Sequence, residues 1–195
     1  MGFVPSDARA EVEELTDKQW TVLAPLEYAG QEDRYTVPVG QTTDFASVPR
    51  IFAWFVPSYG RYTKAAILHD YLWRELAVDG KIEWIDADGL LRRAMRELGV
   101  PFLQRWVMWA AVRWAALFKP RGLAGAWRET PRMLLVTLLA LPIVLPPAAL
   151  IVAALLVYHA IEWIAWVPLR IGAALKDRLG RPRKDVVIPR ITFRL

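Results

Sequence analysis

The apolar run at residues 133–169 constrains this chain more than any other feature of its sequence. Only Thr137, His159 and Glu162 interrupt the run with a side chain that hydrogen-bonds strongly or ionises. One membrane span needs about 20 apolar residues, so the run is too long for one span and slightly short for two spans with a loop. The sequence therefore predicts a segment that inserts into a lipid bilayer.

The run contains Pro142, Pro146 and Pro147 in its first half. Because a Pro-Pro pair interrupts a regular helix, we expect a turn or a sharp kink there. Basic residues flank the run on both sides, and the positive-inside tendency keeps such flanks on the cytoplasmic face. The pattern predicts a membrane-inserting helical hairpin, with the N-terminal domain and the basic tail on the same side.

Aromatic and basic side chains at the ends of the run are typical of a membrane interface, where amphipathic rings sit at the level of the headgroups. The residues that we assign to this interface are Trp163, Trp166, Tyr158, Arg132 and Arg170. One alternative stays open, because a long apolar surface also marks a large protein interface. In that alternative, residues 133–169 form the buried core of an oligomer.

The net charge of +5 is unevenly distributed along the chain. Residues 1–60 are acidic overall, whereas residues 119–195 are strongly basic. Bases that flank an apolar segment favour anionic lipid headgroups as the partner and disfavour nucleic acid, which needs the bases on one folded face. The sequence has no cysteine, which excludes disulfides, thiolate metal sites and a cysteine nucleophile.

The rest of the chain predicts a small α+β domain over residues 18–118. β-prone stretches at residues 20–28 and 34–39 are separated by a turn, which predicts an antiparallel β-hairpin. Helical spacing over residues 63–77 and 82–98 predicts two antiparallel helices against which the hairpin packs.

Three further segments complete the predicted organisation. Residues 1–17 are polar and acidic, which predicts a mobile arm. Residues 119–132 are predicted to form a basic linker, and residues 170–195 are predicted to form a basic tail. A third helix is predicted over residues 101–118, with tryptophans among arginines. It is either a buried core helix or a helix that lies on the membrane, and the sequence does not separate the two.

Three short strings stand out in the domain: TDFASVPR at residues 43–50, AAILHDYLWR at 65–74 and ADGLLRRAM at 87–95. In this order and behind a small β-hairpin, they resemble a family of uncharacterised domains found in tailed bacteriophages and prophages. The resemblance covers about residues 18–115. It implies a phage- or prophage-encoded protein, a component of the virion or the tail, located in the host inner membrane or the virion.

A more remote resemblance has mechanistic content. A helix that bears His-Asp, followed by an antiparallel helix that bears Asp before an apolar pair, is similar to the catalytic helices of phospholipases A2. The resemblance implies that His69 is the general base that activates water and that Asp88 or Asp86 orients its imidazole. It also implies calcium as the cofactor, with Asp70 as a ligand and Asp44 as a second source of oxygen. This chain has neither the disulfides nor the glycine-rich calcium loop that are usual in those enzymes.

Each of these residues also has a structural interpretation. His69 can be a packing histidine that hydrogen-bonds Asp88, while Asp70 pairs with Arg74 one helical turn later. Asp44 can be a turn residue that accepts backbone N–H groups. The sequence thus predicts either a phospholipase-like lipid ester hydrolase or a non-catalytic membrane protein of the virion, of the tail or of host lysis. The expected partners are the bilayer with its anionic headgroups and, within an assembly, a homo-oligomer or other virion proteins.

Overall fold

A computed structural model describes residues 2–31, 33–45, 48–119, 125–179 and 187–190. The fold is α+β, as predicted, with two small antiparallel sheets, a group of packed helices and one long C-terminal apolar helix. The strands are β1 (Gly2–Val4), β2 (Val12–Thr16), β3 (Gln19–Val22), β4 (Leu26–Ala29), β5 (Arg34–Val37) and β6 (Thr42–Thr43). The helices are α1 (Thr63–Tyr71), α2 (Trp84–Glu97), α3 (Phe102–Leu117) and α4 (Ala126–Arg178), with a 3₁₀ turn at Arg50–Phe52 and a π-helical turn at Leu72–Leu76.

The N-terminal residues contribute one strand to each sheet, β1 and β2, in the segment that the sequence predicted as an arm. One sheet has the strand order β1-β4-β5, and the other has the order β2-β3-β6. Phe3 is buried and packs edge-on against Tyr28, with 5.2 Å between the ring centroids. The sequence did not predict β2, because this acidic edge strand is exposed on both faces and therefore shows no alternation of apolar and polar residues.

The core lies between the first sheet and the antiparallel pair of helices α1 and α2. Tyr28 and Val37 of the sheet are fully buried against Ile67 and Leu68 of α1. Met95 of α2 belongs to the same cluster. The two helices contact each other, as the sequence predicted, and they bring the first and second halves of the domain into one apolar core.

The third helix packs into the core by one face, as the first of the two interpretations of the sequence expects, and contact of its exposed face with a membrane stays a prediction. Met108, Trp109 and Ala116 are buried on α3. Arg113 is 1% exposed and does not reach solvent. It is instead paired inside the protein, since a buried guanidinium needs a carboxylate to offset its lost hydration.

The C-terminal apolar segment is one continuous helix, and the predicted hairpin is not found. α4 runs for 53 residues through five prolines, including Pro142, Pro146 and Pro147. Each proline removes one backbone N–H donor and crowds the carbonyl four residues earlier, which bends a helix without ending it when its neighbours keep their bonds. The stretch is rich in leucine and alanine, which are strong helix formers and continue the helix through these positions.

α4 differs along its length in what it contacts. Met133, Ala140 and Ala148 are buried, and Trp114 of α3 donates a hydrogen bond to the Thr137 hydroxyl at 3.0 Å. Large apolar side chains are exposed along both parts of the helix, for example Leu138 at 66%, Leu150 at 73% and Ile164 at 73%. The first part of α4 is therefore docked on the domain by one face, and the second part lies beyond these contacts with most of its large apolar side chains exposed.

By length and composition, α4 could cross a membrane, and 17% of its most apolar window is buried. At 1.5 Å per residue it is about 80 Å long, whereas the hydrocarbon core of a bilayer is about 30 Å thick. The expectation that both basic flanks lie on one side depended on a turn in this segment. A continuous helix does not supply that turn, since Arg132 and Arg170 lie toward its opposite ends.

The docking of α4 predicts where the chain tolerates truncation. A protein that ends at residue 149 keeps Met133, Ala140 and Ala148, so we expect the domain to retain its thermal stability. A protein that ends at residue 132 uncovers Trp109 and Ala110, which pack against Met133, and we expect it to lose about 3 kcal/mol of unfolding free energy. Circular dichroism melts of the two proteins in the same detergent check this, and equal stability would contradict the docking.

Candidate functional site

The candidate site is built around the carboxylate of Asp88, which is completely buried on α2. One carboxylate oxygen accepts hydrogen bonds from His69 Nε2 and from Trp73 Nε1, both at 2.7 Å. The other oxygen accepts one from Arg113 at 2.7 Å. Donors from α1, from the π-helical turn and from α3 thus converge on a single side chain.

This arrangement keeps Asp88 ionised in spite of its burial. Burial alone raises the pKa of Asp88, but the hydrogen bond and charge of His69, with the hydrogen bonds of Arg113 and Trp73, outweigh it and hold the pKa below its ordinary value. Taking a carboxylate out of water costs several kcal/mol, which is repaid only when its lone pairs are well satisfied. Asp88 meets that condition with three donors.

His69 is held by one ring nitrogen and open at the other. Its side chain is 13% exposed. Nε2 points at the Asp88 carboxylate, which selects the tautomer with the proton on Nε2. Nδ1 has no hydrogen-bond partner in the described part of the chain, yet it is not among the side-chain atoms that are both buried and unpaired. Nδ1 is therefore a lone-pair acceptor that water can reach.

A second polar cluster lies beside the first, where β6 meets α1. Asp70 accepts hydrogen bonds from the Thr43 hydroxyl at 2.6 Å and from the Asp44 backbone N–H at 3.3 Å. Arg74 donates to the Asp44 carboxylate at 2.8 Å and lies 3.8 Å from the Asp70 carboxylate. Phe45 follows with a φ of 54°, a conformation uncommon for residues other than glycine that concentrates at functional sites.

The cluster leaves Asp70 poorly disposed to carry a negative charge. Burial raises the pKa of Asp70 to about 6, and the charge of Asp44 adds to this rise, while the Thr43 hydroxyl and Arg74 lower it. At pH 6 about half of the molecules therefore carry a neutral Asp70 carboxyl. In those molecules the carboxyl can itself donate a hydrogen bond.

The predicted calcium ligands do meet, but their surroundings do not fit a calcium ion. Both Asp70 and Asp44 face the Arg74 guanidinium, and the groups around Asp70 are donors where calcium needs oxygen acceptors. Among the described residues, no group of three or more histidines and acids could hold a metal. The chemistry of this cluster is therefore that of a carboxylate pair neutralised by arginine.

Of the two carboxylates proposed to orient the imidazole, the structure selects Asp88. Asp86 is exposed and lines a different cleft, next to Lys81 and Arg93. The reason is helical geometry, because residues two apart point to opposite sides of a helix.

Sequence reasoning missed Arg113 and Trp73. An arginine among apolar residues on a predicted core helix was the available signal for Arg113. For Trp73 the signal was its spacing of four residues from His69.

The predicted membrane-interface residues all lie on α4. Tyr158 and Trp163 are exposed, and each makes a hydrogen bond along the helix, Tyr158 to Glu162 and Trp163 to His159. The Arg170 guanidinium lies over the Trp166 ring at 5.8 Å, and Arg132 pairs with Glu129 at 3.0 Å. The interfacial role of these residues stays a prediction.

Comparison with known proteins finds one similarity, which covers part of the chain. Residues 20–112 match the model of a family described as "Protein of unknown function (DUF1353)". The matched stretch contains most of β3, β4 to β6, α1, α2 and most of α3, with all the residues of both polar clusters except Arg113. No curated protein and no solved structure matches the chain. The family description names no activity, so the phage origin and the phospholipase resemblance stay predictions.

The buried network predicts a sharp difference between two arginines. Arg113→Ala leaves the Asp88 charge buried with only His69 and Trp73 as donors, so we expect a loss of about 3–5 kcal/mol in unfolding free energy. Arg74→Ala removes a half-exposed arginine from a partly solvated pair, and we expect a loss of at most about 1 kcal/mol. Urea denaturation of both variants measures the difference, and a similar loss in the two would show that Asp88 does not depend on Arg113.

Proposed function

We propose that this protein is a membrane-associated hydrolase that cleaves lipid esters, with His69 as the general base and Asp88 as the residue that positions it. The observation that carries the proposal is the open Nδ1 of His69, opposite an Nε2 that is fixed on a buried carboxylate. A neutral imidazole held in this tautomer is ready to take a proton from water.

The chemistry follows from the protonation state of the pair. Nδ1 takes a proton from a water molecule, whose oxygen attacks the carbonyl carbon of the ester and forms a tetrahedral intermediate. Asp88 stays ionised and stabilises the imidazolium that forms, as the carboxylate of a catalytic triad does. When the intermediate collapses, the imidazolium returns the proton to the departing alkoxide, and the products are a fatty acid and an alcohol.

The lipid substrate is proposed from the exposed apolar part of α4. Unpartnered apolar surface of this extent on one element is typical of contact with a membrane or with a large protein partner. A helix that anchors the domain at a bilayer brings the open face of His69 near lipid esters. The phage or prophage origin is proposed from the resemblance of the three sequence strings.

A second candidate function is a non-catalytic membrane component of a virion, a phage tail or a lysis system. The observation that favours it is the Arg113–Asp88 pair, because a guanidinium at 2.7 Å already neutralises the carboxylate. Asp88 then stabilises an imidazolium less than an unpaired carboxylate would. In this candidate, His69, Asp88 and Arg113 form a buried clasp that holds three helices in register.

Fatty-acid release from vesicles of anionic phospholipid separates the two candidates. We expect the wild-type protein to release fatty acid and His69→Gln to be at least about 100-fold slower, since general-base catalysis contributes about 10²–10⁴-fold. Glutamine keeps an N–H donor for Asp88, so the variant should remain folded. Equal rates with calcium and with a chelator are expected, because the Asp70–Asp44 cluster does not fit calcium.

The matched control is His159→Gln, which changes the other histidine of the chain, on the exposed face of α4. We expect it to hydrolyse lipid at the wild-type rate. If folded wild-type protein releases no fatty acid either with calcium or with a chelator, the proposal of a hydrolase is wrong. The non-catalytic function, with His69, Asp88 and Arg113 as a buried clasp, is then the remaining candidate. A strict requirement for calcium would instead show that the Asp70–Asp44 cluster rearranges to bind it.

A further inference from the structure

A cleft of about 910 Å³ lies between α2 and the start of α4, away from His69 and Asp88. Its volume is within the range of small-molecule sites, which is about 300–1,000 Å³. Gly125 forms part of its wall, with a φ of +67° and a position against Ile85 of α2. Because a side chain at this φ is strained, glycine allows α4 to begin close to α2 and to close one end of the cleft.

Three arginines line the cleft: Arg92 and Arg93 on α2 and Arg128 on α4. In the part of the chain that the structure describes, none of the three has an ion pair or a side-chain hydrogen bond. Arg92 stacks over the Trp106 ring at 4.3 Å, which orients its guanidinium without neutralising it. Three arginines thus line one cavity, and within the described residues their guanidiniums have no anionic partner.

The positive charge around Arg92 is concentrated further by its neighbours. Burial and the charges of Arg132, Arg96 and Arg105 hold the pKa of Arg92 below its usual value, and Glu129 opposes this shift. Crowded cations of this kind repel one another unless an anion lies between them. Guanidinium groups bind phosphate through paired, charge-assisted hydrogen bonds, which makes phosphate the matching anion.

The acids of the cleft limit which phosphate compounds fit. Asp33, Glu83 and Asp86 also line it and form no ion pair with the three arginines. They would repel a polyphosphate and tolerate a single phosphate whose remaining atoms are neutral or cationic. A phospholipid headgroup has this chemistry, and basic pockets beside membrane helices bind such headgroups.

We propose that this cleft binds a single phosphate group through Arg92, Arg93 and Arg128. The phosphate comes from a phospholipid headgroup or from a free phosphate, and the start of α4 at the cleft favours the headgroup. The site is independent of the proposed hydrolase, because neither His69 nor Asp88 lines it.

Calorimetric titration of the full-length protein in detergent micelles tests the site with three probes. These probes are inorganic phosphate, dihexanoyl phosphatidylglycerol and dihexanoylglycerol, which lacks the phosphate. We expect the phosphate-bearing lipid to bind and dihexanoylglycerol not to bind. The double variant Arg92→Gln/Arg93→Gln should bind the lipid at least about 100-fold more weakly, because two guanidiniums that form charged hydrogen bonds with the phosphate are removed.

Arg61→Gln is the matched control, since Arg61 is exposed and does not line the cleft. It should bind the lipid as the wild type does. If the double variant fails to fold, Arg128→Gln, which changes an exposed residue, gives the same test. Tighter binding of the lipid than of inorganic phosphate assigns the site to a headgroup, and equal binding assigns it to free phosphate. Absence of binding by both, or binding that the arginine variants leave unchanged, would overturn the proposal.

Discussion

The buried carboxylate of Asp88 is the interaction on which the rest of the domain depends. Its three donors come from three different elements, so the positions of α1, the π-helical turn and α3 relative to α2 are all set by one side chain. The partners of a buried charge cannot move far, because each lost hydrogen bond leaves part of the free-energy cost of desolvating the charge without compensation. The same constraint that organises the helices also fixes the tautomer of His69. Structure and proposed chemistry therefore share one origin.

The domain could be predicted from the sequence where local pattern and tertiary structure agree. The hairpin formed by β4 and β5 and the pair α1 and α2 followed from spacing along the chain, and the resemblance to phospholipases A2 placed either Asp88 or Asp86 beside His69. The first two strands did not, since the alternation of Val12–Thr16 carries no apolar face. The partner of Asp88 on α3 did not either, because sequence spacing relates residues within an element and says little about which elements meet.

For the C-terminal helix, a strong local signal in the sequence predicted a turn that the structure does not have. Pro146-Pro147 predicted a turn, but helix-forming neighbours carry the helix through it, and the hairpin topology inferred from the basic flanks is lost with the turn. The helix can still be divided into two parts by the contacts that it makes with the rest of the domain. Up to Ala148 one face of the helix packs on α3 and on the 3₁₀ turn, while leucines on its other face and most large apolar side chains beyond Ala148 are exposed. Both exposed surfaces are available to a bilayer or to a protein partner.

The central claim, that Asp88 holds His69 with Nε2 protonated and Nδ1 open, is tested most directly by the ¹⁵N shifts of the two histidines. His159 is an internal reference, because its Nε2 accepts a hydrogen bond from Trp163 and its proton must lie on Nδ1. For the neutral imidazoles we predict opposite tautomers, with the proton of His69 on Nε2 and that of His159 on Nδ1. A His69 ring with its proton on Nδ1 would contradict the account.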